Sequence, residues 1–163
     1  AVHPISDLQI EYSLISRGIE STILPTCREL GVGITAYGVL SRGLISGHWT
    51  KDRSTLPNDF RSHSPRFSAE NIGHNLRLVD QLRQVAESKG ATVAQVAIAW
   101  VLSRGVDVVP LVGARRRERL REALGAMKLT LTGDDLRQID RAVPLNAAAG
   151  DRYHATAMAA VHR

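Results

Sequence analysis

Two loops that combine glycine with arginine are the parts of this sequence best suited to chemistry, because each could bind a phosphate. The first runs Gly38-Val-Leu-Ser-Arg-Gly43 and follows a short apolar segment that ends at Tyr37. Small residues let backbone amides approach a phosphate closely, and the guanidinium of Arg42 can neutralise its charge. Taken alone, the composition is also that of many ordinary loops.

The second loop places a glycine before the arginine-rich start of a predicted helix. It reads Gly113-Ala-Arg-Arg-Arg-Glu-Arg119. Helix N-termini attract anions and usually carry acidic side chains, so arginines there need compensation, which a bound phosphate would supply. Arg115 and Arg119 are four residues apart and fall on one helical face if the helix starts early. The alternative is a solvated arginine-rich surface, since 18 of the 21 cationic residues are arginine.

Both loops follow predicted strands, which favours one ligand for the pair. Ligands of parallel α/β sheets bind at the carboxyl ends of the strands. A dinucleotide would reach from one loop to the other, and Tyr37, at the end of its strand, could stack on a flat ring. A position in the core is the alternative for this tyrosine.

Other kinds of site find little support in the residue pattern. None of the six histidines has the helical spacing of a metal site with another histidine, cysteine or aspartate, so we expect no metal. Cys27 lies in a predicted helix with no histidine nearby and is interpreted as a half-buried structural residue. A DNA-recognition helix over 115–121 lacks a preceding helix-turn-helix spacing, so we expect no nucleic-acid binding.

The hydrophobic pattern alternates helices with three short strands, which predicts a parallel α/β sheet. Strands are predicted over 7–12, 34–37 and 106–110, and helices over 19–30, 72–90, 93–102, 116–127 and 132–143. Thr92 and Gln95 form a capping-box pattern, and the helix after Thr92 is apolar on nearly all sides and so expected in the core. Residues 38–68 read as one long loop, and the tail from Pro144 shows no clear pattern.

Composition limits the classes to which the chain can belong. Its 163 residues, 44% hydrophobic and 23% charged, fit one globular domain or two small ones. The net charge of +5 is compatible with a phosphorylated ligand, whereas 4% aromatic residues are too few for a surface that stacks on single-stranded nucleic acid. No run of 18 apolar residues exists, so no membrane span is expected, and the single cysteine and lack of an export signal favour the cytoplasm.

Four blocks of the sequence, in order, resemble the aldo-keto reductases. They are Gln9-Ile-Glu-Tyr12-Ser-Leu, Gly33-Ile-Thr-Ala-Tyr37-Gly-Val-Leu-Ser-Arg-Gly43, Gln95-Val-Ala-Ile-Ala-Trp-Val-Leu and Val109-Pro-Leu-Val-Gly-Ala-Arg115. That family folds as a (β/α)8 barrel and passes a hydride from NADPH to an aldehyde or ketone. The resemblance therefore implies an NADPH-dependent oxidoreductase with a small carbonyl substrate.

The resemblance also implies where NADP(H) would bind. Gln9 would hydrogen-bond the nicotinamide carboxamide, and Tyr37 would stack on the nicotinamide ring. The pyrophosphate would be lined by Gly38, Leu40, Arg42 and Gly43.

The adenosine end would lie at the second loop. Gly113, Arg115 and Arg119 would hold the 2′-phosphate, and Glu122 would contact the adenine amino group. Because arginine binds phosphate in a bidentate manner, this set favours NADPH over NADH. The next family position is usually asparagine and is Ala123 here, which weakens or rearranges the adenine contacts.

By this resemblance the chain corresponds to the C-terminal part of a TIM (β/α)8 barrel. A whole barrel needs roughly 250 residues, and the resemblance covers about three parallel strands with flanking helices, with 1–143 as a partial barrel domain and 144–163 as a C-terminal tail. The family's catalytic Asp, Tyr, Lys and His lie on the first four strands, so we assign no catalytic residue. The leading hypothesis is the cofactor-binding half of a reductase, and the alternative is a catalytically inactive nucleotide-binding or structural half-barrel.

Part of a barrel would expose surfaces that a whole barrel buries. We expect exposed apolar surface on Ile10, Tyr12 and the helix over 93–102. The chain is therefore predicted to form a homo-oligomer or to pair with a complementing half-barrel. Tail residues 151–154 either cover the substrate pocket or are free.

Overall fold

A three-stranded parallel sheet lies at the centre of the computed structural model, which describes residues 3–50 and 59–161. Strand β1 (Asp7–Glu11) pairs with β2 (Gly33–Tyr37), and β2 pairs with β3 (Val108–Pro110). The three predicted parallel strands are confirmed. The third is shorter than predicted, because the amide of Val108 donates to the carbonyl of Gly105 at 3.1 Å and so closes a turn before it.

The described residues form six α-helices, and the hydrophobic core lies between the helices and one face of the sheet. They are α1 (Ile23–Glu29), α2 (Ala69–Ser88), α3 (Val93–Leu102), α4 (Arg117–Gly125), α5 (Gly133–Ala142) and α6 (Ala155–Val161). Helix α1 begins four residues later than predicted, since Pro25 is tolerated only in a first turn and the residues ahead of it form turns. Helix α6 lies in the tail, for which the sequence predicted no structure.

The segment predicted as one long loop is partly helical. Among its described residues it contains 3-10 helices at Ser41–Ser46, Phe60–His63 and Pro65–Phe67, while 51–58 lie outside the described residues. The turns close through short-range bonds such as that from the amide of Ser41 to the carbonyl of Gly38, at 2.7 Å. Sequence periodicity does not detect such short turns, because they have no repeating apolar face.

Helix α3 is the centre of the core. Val96, Trp100 and Val101 are fully buried, since the helix contacts α2, α4 and β3 on different sides. The capping box is confirmed: the amide of Gln95 donates to the hydroxyl of Thr92 at 3.2 Å, and the amide of Thr92 donates to the side-chain oxygen of Gln95 at 2.9 Å. The capping pattern and the apolar pattern therefore predicted the start and the burial of this helix, whereas the partial barrel predicted exposure.

The two faces of the sheet differ in exposure. Ile34, Ala36 and Val108 are buried in the hydrophobic core on the side of the helices. On the opposite face Gln9 and Val109 are exposed. Because side chains alternate along a strand, one face holds the core and the other is open.

The exposed apolar surface is not the predicted one. Tyr12 is fully buried and packs on Trp100, with ring centroids 5.4 Å apart, and Ile10 is half-buried. Helix α3 is buried except at Gln95 and Leu102. Prediction of exposure at these residues was wrong, because they pack into the same core as α2 and α5. Large apolar residues are also exposed at β3, its flanks, α4 and the 3-10 turn after α4. These residues, here called the β3–α4 surface, are Val106, Val109, Leu111, Leu120, Leu124 and Met127.

The tail folds back onto the body of the protein. The buried side chain of Asn75 donates to the carbonyl of Ala149 at 2.9 Å and accepts from its amide at 2.8 Å. Gly150 follows with φ +81, and a Cβ there would lie 2.8 Å from the backbone of Pro65. The residues after it, 151–154, are therefore held against the protein rather than free. No helix within 3–50 and 59–161 has the length and hydropathy needed to cross a membrane.

Candidate functional site

One cleft of about 580 Å³ brings the two predicted phosphate loops together. Eight of the ten residues predicted for the cofactor line it, namely Gly38, Leu40, Arg42, Gly43, Gly113, Arg115, Arg119 and Glu122. The other two, Gln9 and Tyr37, lie outside its lining, on the strands beside it. The loops are close because β2 and β3 are parallel neighbours, so that both loops leave the same edge of the sheet.

The first loop has an unusual backbone. Gly38 and Gly43 have φ values of +68 and +93, and two non-glycine residues between them, Ser41 and Arg42, have φ values of +46 and +58. Left-handed backbone is unfavourable for residues with a Cβ and is concentrated at functional sites. The loop is held in this form by its surroundings, including a contact of 3.2 Å between the buried hydroxyls of Ser41 and Ser13.

Arg42 presents a fixed and unneutralised charge to the cleft. Its guanidinium carbon lies 5.0 Å from the ring centroid of Phe60 and 4.9 Å from that of Tyr153, so the group is held by two aromatic rings. Its Nη1 donates to the carbonyl of Arg152 at 3.4 Å. No carboxylate in the described part of the chain forms an ion pair with it, which leaves the guanidinium available to an anion.

The second loop offers backbone donors as well as arginines. Helix α4 begins at Arg117, and no side chain caps its start. The amides of residues 113–118 donate to no acceptor within the described ranges. A Cβ added to Gly113 would meet nothing within 4 Å, so open space lies next to these amides. Unpaired amides at the positive end of a helix form a favourable site for an anion.

Arg119 belongs to a charged cluster at the side of the cleft. Its Nη1 lies 3.0 Å from Oε2 of Glu122, and the ring nitrogen Nε2 of His48 contacts both residues, 3.1 Å from the same carboxylate oxygen. Burial tends to raise the pKa of Glu122, but hydrogen bonds from His48, Thr92 and Arg119 outweigh it and lower that pKa. Glu122 is therefore ionised and partly neutralises the charge of Arg119. Arg115 has no acidic partner within 3–50 and 59–161.

The open face of the sheet holds the other two predicted residues. Glu11 pairs with Tyr37 in the strand register, so Gln9 and Tyr37 lie on the same face of neighbouring strands. The phenol of Tyr37 lies 3.2 Å from that of Tyr153 and accepts from Nη2 of Arg152 at 2.8 Å. Burial and the bond to Tyr153 raise the pKa of Tyr37.

Three residues of this region were not assigned to the site from the sequence. His48, Arg152 and Tyr153 reach it from positions that no local spacing connects to the two loops. For the tail residues 151–154 the sequence left two alternatives, a cover over the substrate pocket or a free segment. Cys27, interpreted as half-buried, is buried. Within the described ranges no three His, Cys, Asp or Glu side chains are placed to hold a metal ion.

The geometry fits a ligand with two separated anionic groups. The stacked guanidinium of Arg42, on the first loop, and Arg115, on the second, line the same cleft. Glycines at both places let a phosphate approach the backbone. An elongated dinucleotide has this distribution of charge.

Comparison with known proteins agrees with the fold and the motifs. Residues 1–144 match the aldo/keto reductase family. The chain is 42% identical over 154 residues to "Probable aldo-keto reductase 1" of Glycine max, a match that covers 94% of this chain and 44% of that protein. It thus spans less than half the length of this relative.

Solved structures give the same result. A glycerol dehydrogenase from Gluconobacter oxydans superimposes with a TM-score of 0.81 and 31% identity, over 86% of this chain and 43% of that one. A thermostable aldo-keto reductase, solved with the inhibitor epalrestat, gives a TM-score of 0.62 and 26% identity, over 87% of this chain and 41% of that one. The chain, an α/β protein with three parallel strands and flanking helices, therefore belongs to the aldo/keto reductase family of oxidoreductases.

Proposed function

We propose that this chain binds NADP(H) and is the cofactor-binding, C-terminal half of an aldo-keto reductase that reduces aldehydes or ketones to alcohols. The observation that carries the proposal is one cleft lined by both Arg42 and Arg115, which follow two neighbouring parallel strands. Bound there, the cofactor would supply the hydride for the carbonyl carbon.

The first loop suits the pyrophosphate. Arg42 keeps its full charge, because no described carboxylate pairs with it, and it is immobilised between two rings. A guanidinium that is already ordered loses less entropy when it binds a phosphate. The glycines at 38 and 43 leave the backbone of the loop accessible to the ligand.

The second loop suits the 2′-phosphate that distinguishes NADPH from NADH. Arg115 is exposed and has no described acidic partner, and the amides that follow Gly113 are unpaired. Arg119 is partly neutralised by Glu122, so we assign it a smaller share of the binding energy than Arg115. Glu122, fixed and ionised, can accept a hydrogen bond from the adenine amino group.

The nicotinamide would lie on the open face of the sheet, with Tyr37 against its ring and Gln9 at its carboxamide. Carbonyl reduction also needs a proton donor for the developing alkoxide. In the family this donor belongs to the first four strands. We therefore propose that turnover requires a second copy of this chain, a complementing half-barrel or further parts of a longer protein, and that the protein works in the cytoplasm.

A nucleotide-binding protein without catalysis is the second candidate. It would use the same cleft and the same arginines. The two candidates differ in turnover: both predict NADPH binding, and only the first predicts aldehyde reduction when the partner is supplied.

Fluorescence titration of the chain with NADPH and NADH tests the proposal. We expect saturable binding that favours NADPH, and Arg115→Ala should weaken NADPH binding about tenfold, the loss of one charge-assisted hydrogen bond, while NADH binding changes little. Arg121→Ala is the matched control, because Arg121 lies on the same helix but outside the cleft lining. Absence of binding at millimolar NADPH would contradict the proposal.

A further inference from the structure

Arg152 connects the tail with the ends of the first two strands. Its Nη2 donates to the phenol oxygen of Tyr37 at 2.8 Å and lies 3.3 Å from that of Tyr153. Its Nε lies 2.7 Å from Oε2 of Glu11, the last residue of β1. One guanidinium therefore contacts a carboxylate on one strand and a phenol on the next.

Glu11 is a strong anchor for this arginine. Its side chain is 2% exposed, so the carboxylate is almost completely removed from water and requires a cation. Ser16 donates to its Oε1 at 2.8 Å, and Nη1 of Arg66 is 3.9 Å from the same oxygen. Oε2 has no aligned hydrogen bond, so the charge of Arg152 supplies its closest compensation.

The rest of the tail holds Arg152 in this position. Asn75 fixes the backbone at Ala149 through two hydrogen bonds. The ring of Tyr153 stacks on the guanidinium of Arg42, whose Nη1 donates to the carbonyl of Arg152. The tail thus touches the residues to which the proposed function gives the nicotinamide ring and the pyrophosphate.

We infer that Arg152 is a positioning residue of the cofactor site: held by Glu11, it fixes the ring of Tyr37 for stacking on the nicotinamide. The inference rests on the proposed function and goes beyond it, since it makes the C-terminal tail part of the cofactor site. Arg152 acts through Tyr37 and does not touch the ligand. Its effect should therefore be confined to the nicotinamide end.

Two ligands separate this role from a general loss of structure. NADPH reaches both ends of the site, whereas adenosine 2′,5′-bisphosphate carries only the adenosine end. Arg152→Lys keeps a cation beside Glu11 but loses the planar group that reaches the phenol. We expect Arg152→Lys to weaken NADPH binding about tenfold and to leave binding of the bisphosphate unchanged.

A double-mutant cycle tests whether the effect passes through Tyr37. In a Tyr37→Phe background, which has no phenol oxygen, Arg152→Lys should cause no further loss of NADPH affinity. Arg121→Lys is the matched control and should bind both ligands like the unchanged chain. Near-ultraviolet circular dichroism without ligand should also change in Arg152→Lys, because the environment of two phenols changes.

The outcomes are distinct. Equal loss for both ligands would show a structural role and overturn the inference, as would a full effect of Arg152→Lys in the Tyr37→Phe background. Normal NADPH binding by Arg152→Lys would also overturn it while the proposed function stands. If the wild-type chain binds neither NADPH nor adenosine 2′,5′-bisphosphate, both this inference and the proposed function are overturned.

Discussion

Gly38 lies so close to Glu11 that a Cβ at position 38 would be 3.0 Å from Cγ of Glu11. The glycine also has a φ of +68. Two independent restrictions thus disfavour a side chain at the point where β2 ends and the first loop begins. This contact joins the loop to the buried carboxylate that holds Arg152.

Replacement of this glycine should destabilise the fold. Gly38→Ala places a Cβ in left-handed backbone, which costs about 1–2 kcal/mol before the contact with Glu11 is counted. Urea unfolding followed by circular dichroism should show a lower midpoint with an unchanged slope. A midpoint equal to that of the unchanged chain would contradict the described loop conformation.

Gly113→Ala should behave in the opposite way. A Cβ at this position meets nothing within 4 Å, and its φ is not positive, so the free energy of unfolding should stay unchanged. The added methyl group would occupy space beside the unpaired amides, so NADPH affinity should fall about tenfold, as for one lost hydrogen bond to a charged group. The same titration with unchanged affinity would show that no phosphate binds these amides.

The capping box of α3 provides a test of local structure at Thr92, whose hydroxyl also donates to the carboxylate of Glu122. Thr92→Ala removes the hydroxyl that accepts from the amide of Gln95, and we expect a loss of about 1 kcal/mol. Thr92→Ser keeps an acceptor at the same place and serves as the control in the same urea experiment. Equal destabilisation by both replacements would mean that the hydroxyl is not what matters.

This helix shows how much the sequence can predict. Its cap, its apolar surroundings and the three parallel strands follow from spacings within a few residues, and the structure confirms them. The start of α1 and the turns within 38–68 were missed because short turns carry no periodicity. Exposure of Tyr12 was wrongly predicted, since the partner that buries it, Trp100, is distant in the sequence.

The candidate site, like the fold, was predictable where it depends on local sequence and not where it depends on distant residues. Each of the two loops that line the cleft could be found from its own glycines and arginines. Their approach to one cleft follows from parallel pairing of the strands before them. The contacts of Arg152 with Tyr37 and of His48 with Arg119 join residues separated by 115 and 71 positions, and no local pattern predicts contacts of that range.

Asp135 should give the chain a defined dependence on acid. A hydrogen bond from Lys89, at 2.8 Å, and bonds from the amide and hydroxyl of Thr132 lower the pKa of Asp135 from 3.8 to about 2. The folded state thus favours the ionised form, so the stabilisation is complete above pH 4 and is lost as the pH falls through about 2.

Urea midpoints between pH 5 and pH 2 measure this effect. Asp135→Asn should be less stable than the unchanged chain at pH 5 and should approach it near pH 2. Asp134→Asn is the control, because Asp134 lies beside it on α5 and pairs only with Arg137 in the described structure. A constant difference between Asp135→Asn and the unchanged chain across this range would contradict the assignment.

The β3–α4 surface should drive self-association. Leu124 is 53% exposed and Met127 is 74% exposed, and the outer edge of β3 pairs with no described strand. Exposed apolar residues next to a free strand edge favour pairing with another chain. We therefore expect sedimentation at micromolar concentration to show a dimer or larger species. Leu124→Glu should shift the distribution to the monomer, since a charge would have to be buried in the contact.

Leu30→Glu is the control for this prediction: Leu30 is 69% exposed at the end of α1, outside the β3–α4 surface. If the wild-type chain sediments as a monomer, or if both replacements cause equal dissociation, the β3–α4 surface is not the contact.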